Sequence, residues 1–105
     1  MKKINNEAEF NEVIGSNGLV VCKIGAQWCA PCRLIEGTIG ELEKDYGDSV
    51  VFVEIDADDA DEDFISSLNI RNIPVVQYYK NGNLEKKTVG LVTKGEIINQ
   101  ITELL

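Results

Sequence analysis

The spacing of apolar positions changes several times along the chain, and each change marks an element. Phe10, Val13 and Ile14 share one face of a helix that the spacing predicts over Glu7–Ile14, behind Asn5 and Asn6 as capping residues. Gly15 to Gly18 reads as a turn. Leu19–Ile24 is rich in branched residues without clean alternation, the pattern of a strand buried on both faces, and Lys23 interrupts it. Pro31 fits the first turn of a second helix, where a missing N–H costs nothing. Leu34, Ile35, Ile39 and Leu42 then recur at helical spacing up to Gly47, and Gly37 marks a candidate bend inside the helix. Val50–Ile55 reads as another buried strand, and Asp59–Leu68 as a short helix with Phe64, Ile65 and Leu68 inward. Pro74 opens a strand over Val75–Tyr79, where a strand tolerates proline. Asn81-Gly82 is a hairpin turn, so Leu84–Val89 pairs antiparallel with that strand. Thr93-x-x-Glu96 is a capping box for a last helix whose apolar face is Ile97, Ile98, Ile101 and Leu104.

With a short strand at Lys2–Ile4, strands and helices alternate, and alternation argues for a parallel core. The closing hairpin adds an antiparallel edge. The expected fold class is α/β, a mixed sheet of four to five strands with helices on both faces. Residues 1–105 read as one domain, since this length makes two improbable.

Charge narrows the function classes. Ten Lys and Arg stand against 18 Asp and Glu, for a net charge of −8, and there is no histidine. So acidic a chain is repelled by phosphate backbones, so no nucleic-acid partner is expected. The commonest neutral-pH acid–base group and metal ligand is missing. No apolar run approaches the length of a membrane span, and the polar residues after Met1-Lys2-Lys3-Ile4 do not continue a signal peptide. The expectation is a soluble, cytoplasmic protein. Three cysteines, an odd number, fit that compartment better than a secreted scaffold.

Cys29 and Cys32 hold the candidate chemistry. They lie at a strand-to-helix junction, and on a helix this spacing makes them neighbours, about 5–6 Å between Cβ atoms. That suits a disulfide after slight adjustment. The loop it closes is tiny, so the bridge adds little stability, and a redox role explains it better than a structural one. Unpaired N–H groups and the helix macrodipole favour a thiolate at the helix start. Cys29 is therefore expected to be the exposed nucleophile and Cys32, one turn in, the shielded resolving residue.

Two blander readings compete. Half of a zinc site is one, but three cysteines without histidine cannot complete four ligands within the chain, so no metal is expected. Inert buried thiols are the other, the ordinary fate of a cysteine, and the reading preferred for Cys22. The run Asp56–Asp63 lacks the glycine and glutamate of a calcium loop and reads as a solvated loop with an acidic helical first turn.

Trp28-Cys29-Ala30-Pro31-Cys32-Arg33 resembles the active site of the thioredoxin family, of the WCxPC type. The likeness continues through Ile70-Arg71-Asn72-Ile73-Pro74, Tyr79-Lys80-Asn81-Gly82 and Val89-Gly90. It implies a thioredoxin-like fold and a protein dithiol–disulfide oxidoreductase that reduces protein disulfides without a bound cofactor. It also implies a thioredoxin-reductase-like electron donor, disulfide-containing substrate proteins and a monomer. It makes Pro74 a cis-proline facing the disulfide. Trp28, Ala30, Pro31, Ile73, Pro74, Gly90 and Leu91 would form an apolar docking surface, with the Ile73 backbone pairing with an extended substrate by strand addition. A binding module on the same fold, and a net oxidant or isomerase, are the alternatives.

The chain departs from the family pattern at several positions. Ala30 replaces a glycine, Gly25 a tryptophan, Gly37 a kinking proline and Val75 a threonine. Lys23 stands where the family has a buried aspartate, and Phe52 where it often has the partner lysine. An ammonium inside a strand costs several kcal/mol unless paired or solvated. The favoured reading is a charged Lys23 that reaches solvent or a carboxylate such as Glu54 and modulates the cysteines.

Overall fold

The computed structural model describes residues Met1–Leu105. Strand β1 (Lys2–Lys3) leads into α1 (Glu7–Ser16), then β2 (Leu19–Gly25), α2 (Ala30–Tyr46) and β3 (Val51–Asp56). The chain continues with α3 (Glu62–Ser67), β4 (Val75–Lys80), β5 (Asn83–Val89) and α4 (Lys94–Leu104). The five strands form one sheet in the order β1-β3-β2-β4-β5. β1, β3 and β2 run parallel, while β4 is antiparallel to both β2 and β5. This is the mixed, helix-covered sheet that the alternation of elements predicts.

Every residue of β2 is buried. Successive side chains point to opposite faces, so the strand feeds two cores. Val21, with Phe52, Val76 and Tyr78 from its neighbours, packs against Ile35, Ile39 and Leu42 of α2 and Ile97 and Ile101 of α4. Val20, Cys22 and Ile24 face the other way, with Phe10 of α1 and Phe64 of α3. Truncating any of these fully buried aliphatic residues to alanine would cost about 2–5 kcal/mol.

The helix starts follow the capping chemistry. Asn6, Asp61 and Thr93 each accept a hydrogen bond from a backbone N–H in the first turn of α1, α3 and α4. Three expectations are corrected. α1 runs on through Gly15 and Ser16, and the Asn17 side chain donates to the Val13 carbonyl to close it. α3 begins only at Glu62, because the N–H groups of Asp59 and Ala60 turn back onto the Asp56 carbonyl. Leu34 is exposed: it lies about 100° around the helix from the Ile35, Ile39 and Leu42 stripe that meets the sheet. α2 is continuous through Gly37.

Candidate active site

The C-terminal end of β2 aims the chain at the start of α2, and Cys29 occupies the N-cap of that helix. Its Sγ accepts from the Cys32 N–H at 3.3 Å, and its carbonyl accepts from the Arg33 N–H. Cys29 and Cys32 are joined in a disulfide with their Cα atoms 5.2 Å apart. Neither is an open side chain: Cys29 retains 7% of its exposure and Cys32 1%. The order of accessibility matches expectation, but Cys29 is buried rather than exposed. Ala26 and Ile73 pack around the bridge, leaving only its outer edge open.

The sequence-predicted docking residues differ in exposure. Trp28 is 70% exposed, and its indole Nε1 donates to Asp58 at 2.8 Å. Ala30 and Pro31 are exposed in the first turn of α2. Ile73 is half-buried against the cysteines, and the Ile73–Pro74 peptide bond is cis. Gly90 has φ +83°, a conformation that favours glycine. Its N–H donates to the Pro74 carbonyl at 2.8 Å, which ties the end of β5 to the proline. Leu91 is exposed next to it.

Lys23 lies behind the disulfide with its side chain only 8% exposed. Its Nζ is 3.4 Å from Glu54 and 3.6 Å from Glu36. Sequence reasoning anticipated Glu54 but missed Glu36, although Glu36 stands four residues past Cys32 and so on the same helix face. A polar cavity of about 20 Å³ is bordered by Lys23, Glu36, Glu54 and Gly25. A Cβ on Gly25 would lie 3.0 Å from both Cβ and Sγ of Cys32, so only glycine lets the bridge pack this closely on the end of β2.

Asp58 was also missed. The acidic run is not wholly a solvated loop: Asp56 is buried and accepts from the Asp58 N–H, and Asp58 holds Trp28. Asp61, Glu62 and Asp63 do serve the first turn of α3 as expected. Cys22 lies on the opposite face of β2 from Lys23, fully buried and unbridged.

A disulfide at the N-terminus of a helix on a mixed five-stranded sheet, packed against the first residue of a cis Ile73–Pro74 bond, defines a thiol–disulfide oxidoreductase. The thioredoxin profile matches residues 1–103. The thioredoxin of Mycoplasmoides gallisepticum is 35% identical over 92% of this chain and 95% of its own length. Rabbit (Oryctolagus cuniculus) thioredoxin is 33% identical over 100% of this chain and 99% of its own. The structure of Plasmodium falciparum thioredoxin superposes with a TM-score of 0.89 at 28% identity, covering 100% of both chains. The chain belongs to the thioredoxin family, and it is a protein dithiol–disulfide oxidoreductase working through the Cys29–Cys32 pair. No helix is long and apolar enough to cross a membrane.

Proposed function

We propose that the chain acts as a single domain that reduces protein disulfides, with Cys29 as nucleophile and Cys32 as resolving thiol. The observation that carries this is the asymmetry of the pair. Cys29 caps a 17-residue helix, where unpaired N–H groups and the macrodipole favour a thiolate, while Cys32 sits one turn inside. The Cys29 thiolate attacks one sulfur of a substrate disulfide. The S–S bond breaks, the leaving sulfur takes a proton, and a mixed disulfide forms. Cys32, on losing its own proton, attacks the Cys29 sulfur and releases the second substrate thiol. Two electrons have passed to the substrate, and the protein holds the Cys29–Cys32 bridge. A thioredoxin-reductase-like donor returns those two electrons in the cell.

Trp28, Ala30, Pro31, Ile73, Pro74, Gly90 and Leu91 form the docking surface in this reading, with an extended substrate segment pairing with the Ile73 backbone. The exposure of Trp28, Ala30, Pro31 and Leu91 supports it. Lys23 modulates the pair through its charge. Its ion pairs with Glu36 and Glu54 offset part of that charge, so its influence is weaker than that of a lone ammonium. We place the protein in the cytoplasm as a monomeric electron carrier. Its relatives include spinach M-type thioredoxin, named chloroplastic, so they do not share one compartment.

The test is insulin reduction by dithiothreitol followed by turbidity, together with Cys32→Ser. The parent should accelerate precipitation, and Cys32→Ser should accumulate covalent mixed disulfides visible on non-reducing gels. No acceleration by the parent would favour a module that binds partners without reducing them. Trapping by Cys29→Ser instead would reverse the two roles.

A further inference from the structure

The net charge of −8 is distributed unevenly around the disulfide. Asp58 holds the Trp28 indole, and the stretch Asp56–Asp63 in which it stands carries six carboxylates, those of Asp56, Asp58, Asp59, Asp61, Glu62 and Asp63. Residues 64–94 hold the opposite balance, with Arg71, Lys80, Lys86, Lys87 and Lys94 against Glu85 alone. Lys86 is paired with Glu103, and Lys94 with Glu41 and Asp45. Arg71 and Lys87 take part in none of the ion pairs of the fold. Both are exposed, and both border one groove of about 430 Å³.

That groove is continuous with the docking surface. Its buried floor includes Val75, the residue after Pro74, and its rim includes Val89, the residue before Gly90. Val75 and Val89 are paired across β4 and β5. From there the groove runs along β5, the unpaired edge of the sheet, to Leu84. Leu84 and Val89 leave half of their surface exposed, an apolar lining beside two uncompensated cations. A substrate chain lying across Ile73 and Pro74 would have one flank near Asp58 and the other in this groove.

We propose that the groove is a specificity subsite for an acidic segment of the substrate protein, with carboxylates meeting Arg71 and Lys87 and apolar residues meeting Leu84 and Val89. The inference rests on the proposed docking of protein disulfides at Ile73–Pro74 and names the class of substrate favoured there. Long-range repulsion by the acidic body is screened within about 8–10 Å at physiological salt, so local pairing decides the preference. Anionic residues on the groove flank of the substrate cysteine are favoured, and anionic residues on the Trp28 flank are opposed by Asp58 and its neighbours.

Synthetic disulfide peptides test this, with acidic or basic residues on one side of the cysteine only, each side in turn, and neutral residues on the other. Each is reduced by the dithiol form of the parent and of an Arg71→Glu, Lys87→Glu double variant. A neutral small disulfide, 2-hydroxyethyl disulfide, is a further substrate. With the charges on the flank that enters the groove, the parent should favour the acidic peptide roughly three- to tenfold in kcat/KM, the scale of two partly solvated ion pairs. The double variant should lose or invert that preference, and high salt should flatten it. All forms should reduce the neutral disulfide equally. Equal peptide rates in the parent, or an unchanged ratio in the variant, would overturn the subsite. Failure of the parent on the neutral disulfide would instead overturn the proposed dithiol chemistry.

Discussion

Two thiol environments lie close together in this chain and are built to opposite ends. Cys22, in the middle of β2, is paired with Val53 on one side and Gln77 on the other, within the core beneath α1 and α3. Burial pushes its thiol up to about 12, and the neighbouring Lys23 charge only partly offsets that. Cys29 lies just past the end of the same strand, where the backbone turns into α2 and presents unpaired N–H groups. One thiol is held neutral by the loss of water, and the other is offered a thiolate-stabilising helix start. Reactivity is therefore a property of position in the fold rather than of residue type.

Removing each thiol separately is the strongest way to break this comparison. Cys29→Ser should abolish insulin reduction, while Cys22→Ala should keep it within about twofold, the scale of an unperturbed active site. Loss of activity in Cys22→Ala would give the buried thiol a part in the chemistry. Burial also couples Cys22 to pH. The folded-state pKa of Cys22 is raised from 9.0 to about 12. The stability it contributes is fully present below pH 9 and is lost as pH rises towards 12. The loss amounts to up to about 4 kcal/mol for a shift of this size. Burial raises the Tyr78 and Tyr79 hydroxyls too, and they act in the same direction. Urea unfolding between pH 8 and 11 should show the parent weakening more steeply than Cys22→Ala. Parallel curves would mean that Cys22 does not set the alkaline limit.

Lys23 sharpens the comparison because it lies beside Cys22 in sequence but on the Cys32 side of β2. Lys23→Met removes the cation and leaves Glu36 and Glu54 facing one another. A thiolate at the bridge loses an attraction, so the dithiol form is less favoured and the potential falls. Each tenfold change in that equilibrium is about 30 mV for a two-electron couple, and a shift of about that size is expected. Equilibration with glutathione redox buffers measures it. An unchanged potential would make Lys23 a packing residue only. The smallest effect is expected far from both thiols. Gly37 is exposed in the interior of α2, and nothing lies within 4 Å of an added Cβ. Gly37→Ala should therefore stabilise the fold by about 0.5–1 kcal/mol with no change in potential. A thermal melt reads the first and the glutathione titration the second.

The order of elements, the caps at Asn6 and Thr93, the Asn81-Gly82 hairpin and the Cys29–Cys32 pair were all legible in the sequence. Each depends on neighbours a few residues away, and local chemistry is what periodicity and capping rules record. Tertiary structure decided the rest. Whether Leu34 is core or surface depends on which stripe of α2 meets the sheet, and Ile35, Ile39 and Leu42 take that place. Glu36 and Glu54 come from a helix and a strand far apart in the chain, and only the packing of α2 on β2 and β3 brings both to Lys23. Asp58 reads as one carboxylate in an acidic run until the turn after β3 carries it to the Trp28 indole. The basic groove arises in the same way, because Arg71 and Lys87 are neighbours only once β5 folds back along β4. Charges interact through space with little regard for sequence separation, so the electrostatics of the site follow from the fold, while the placement of its thiols at a strand-to-helix junction was written in the local sequence.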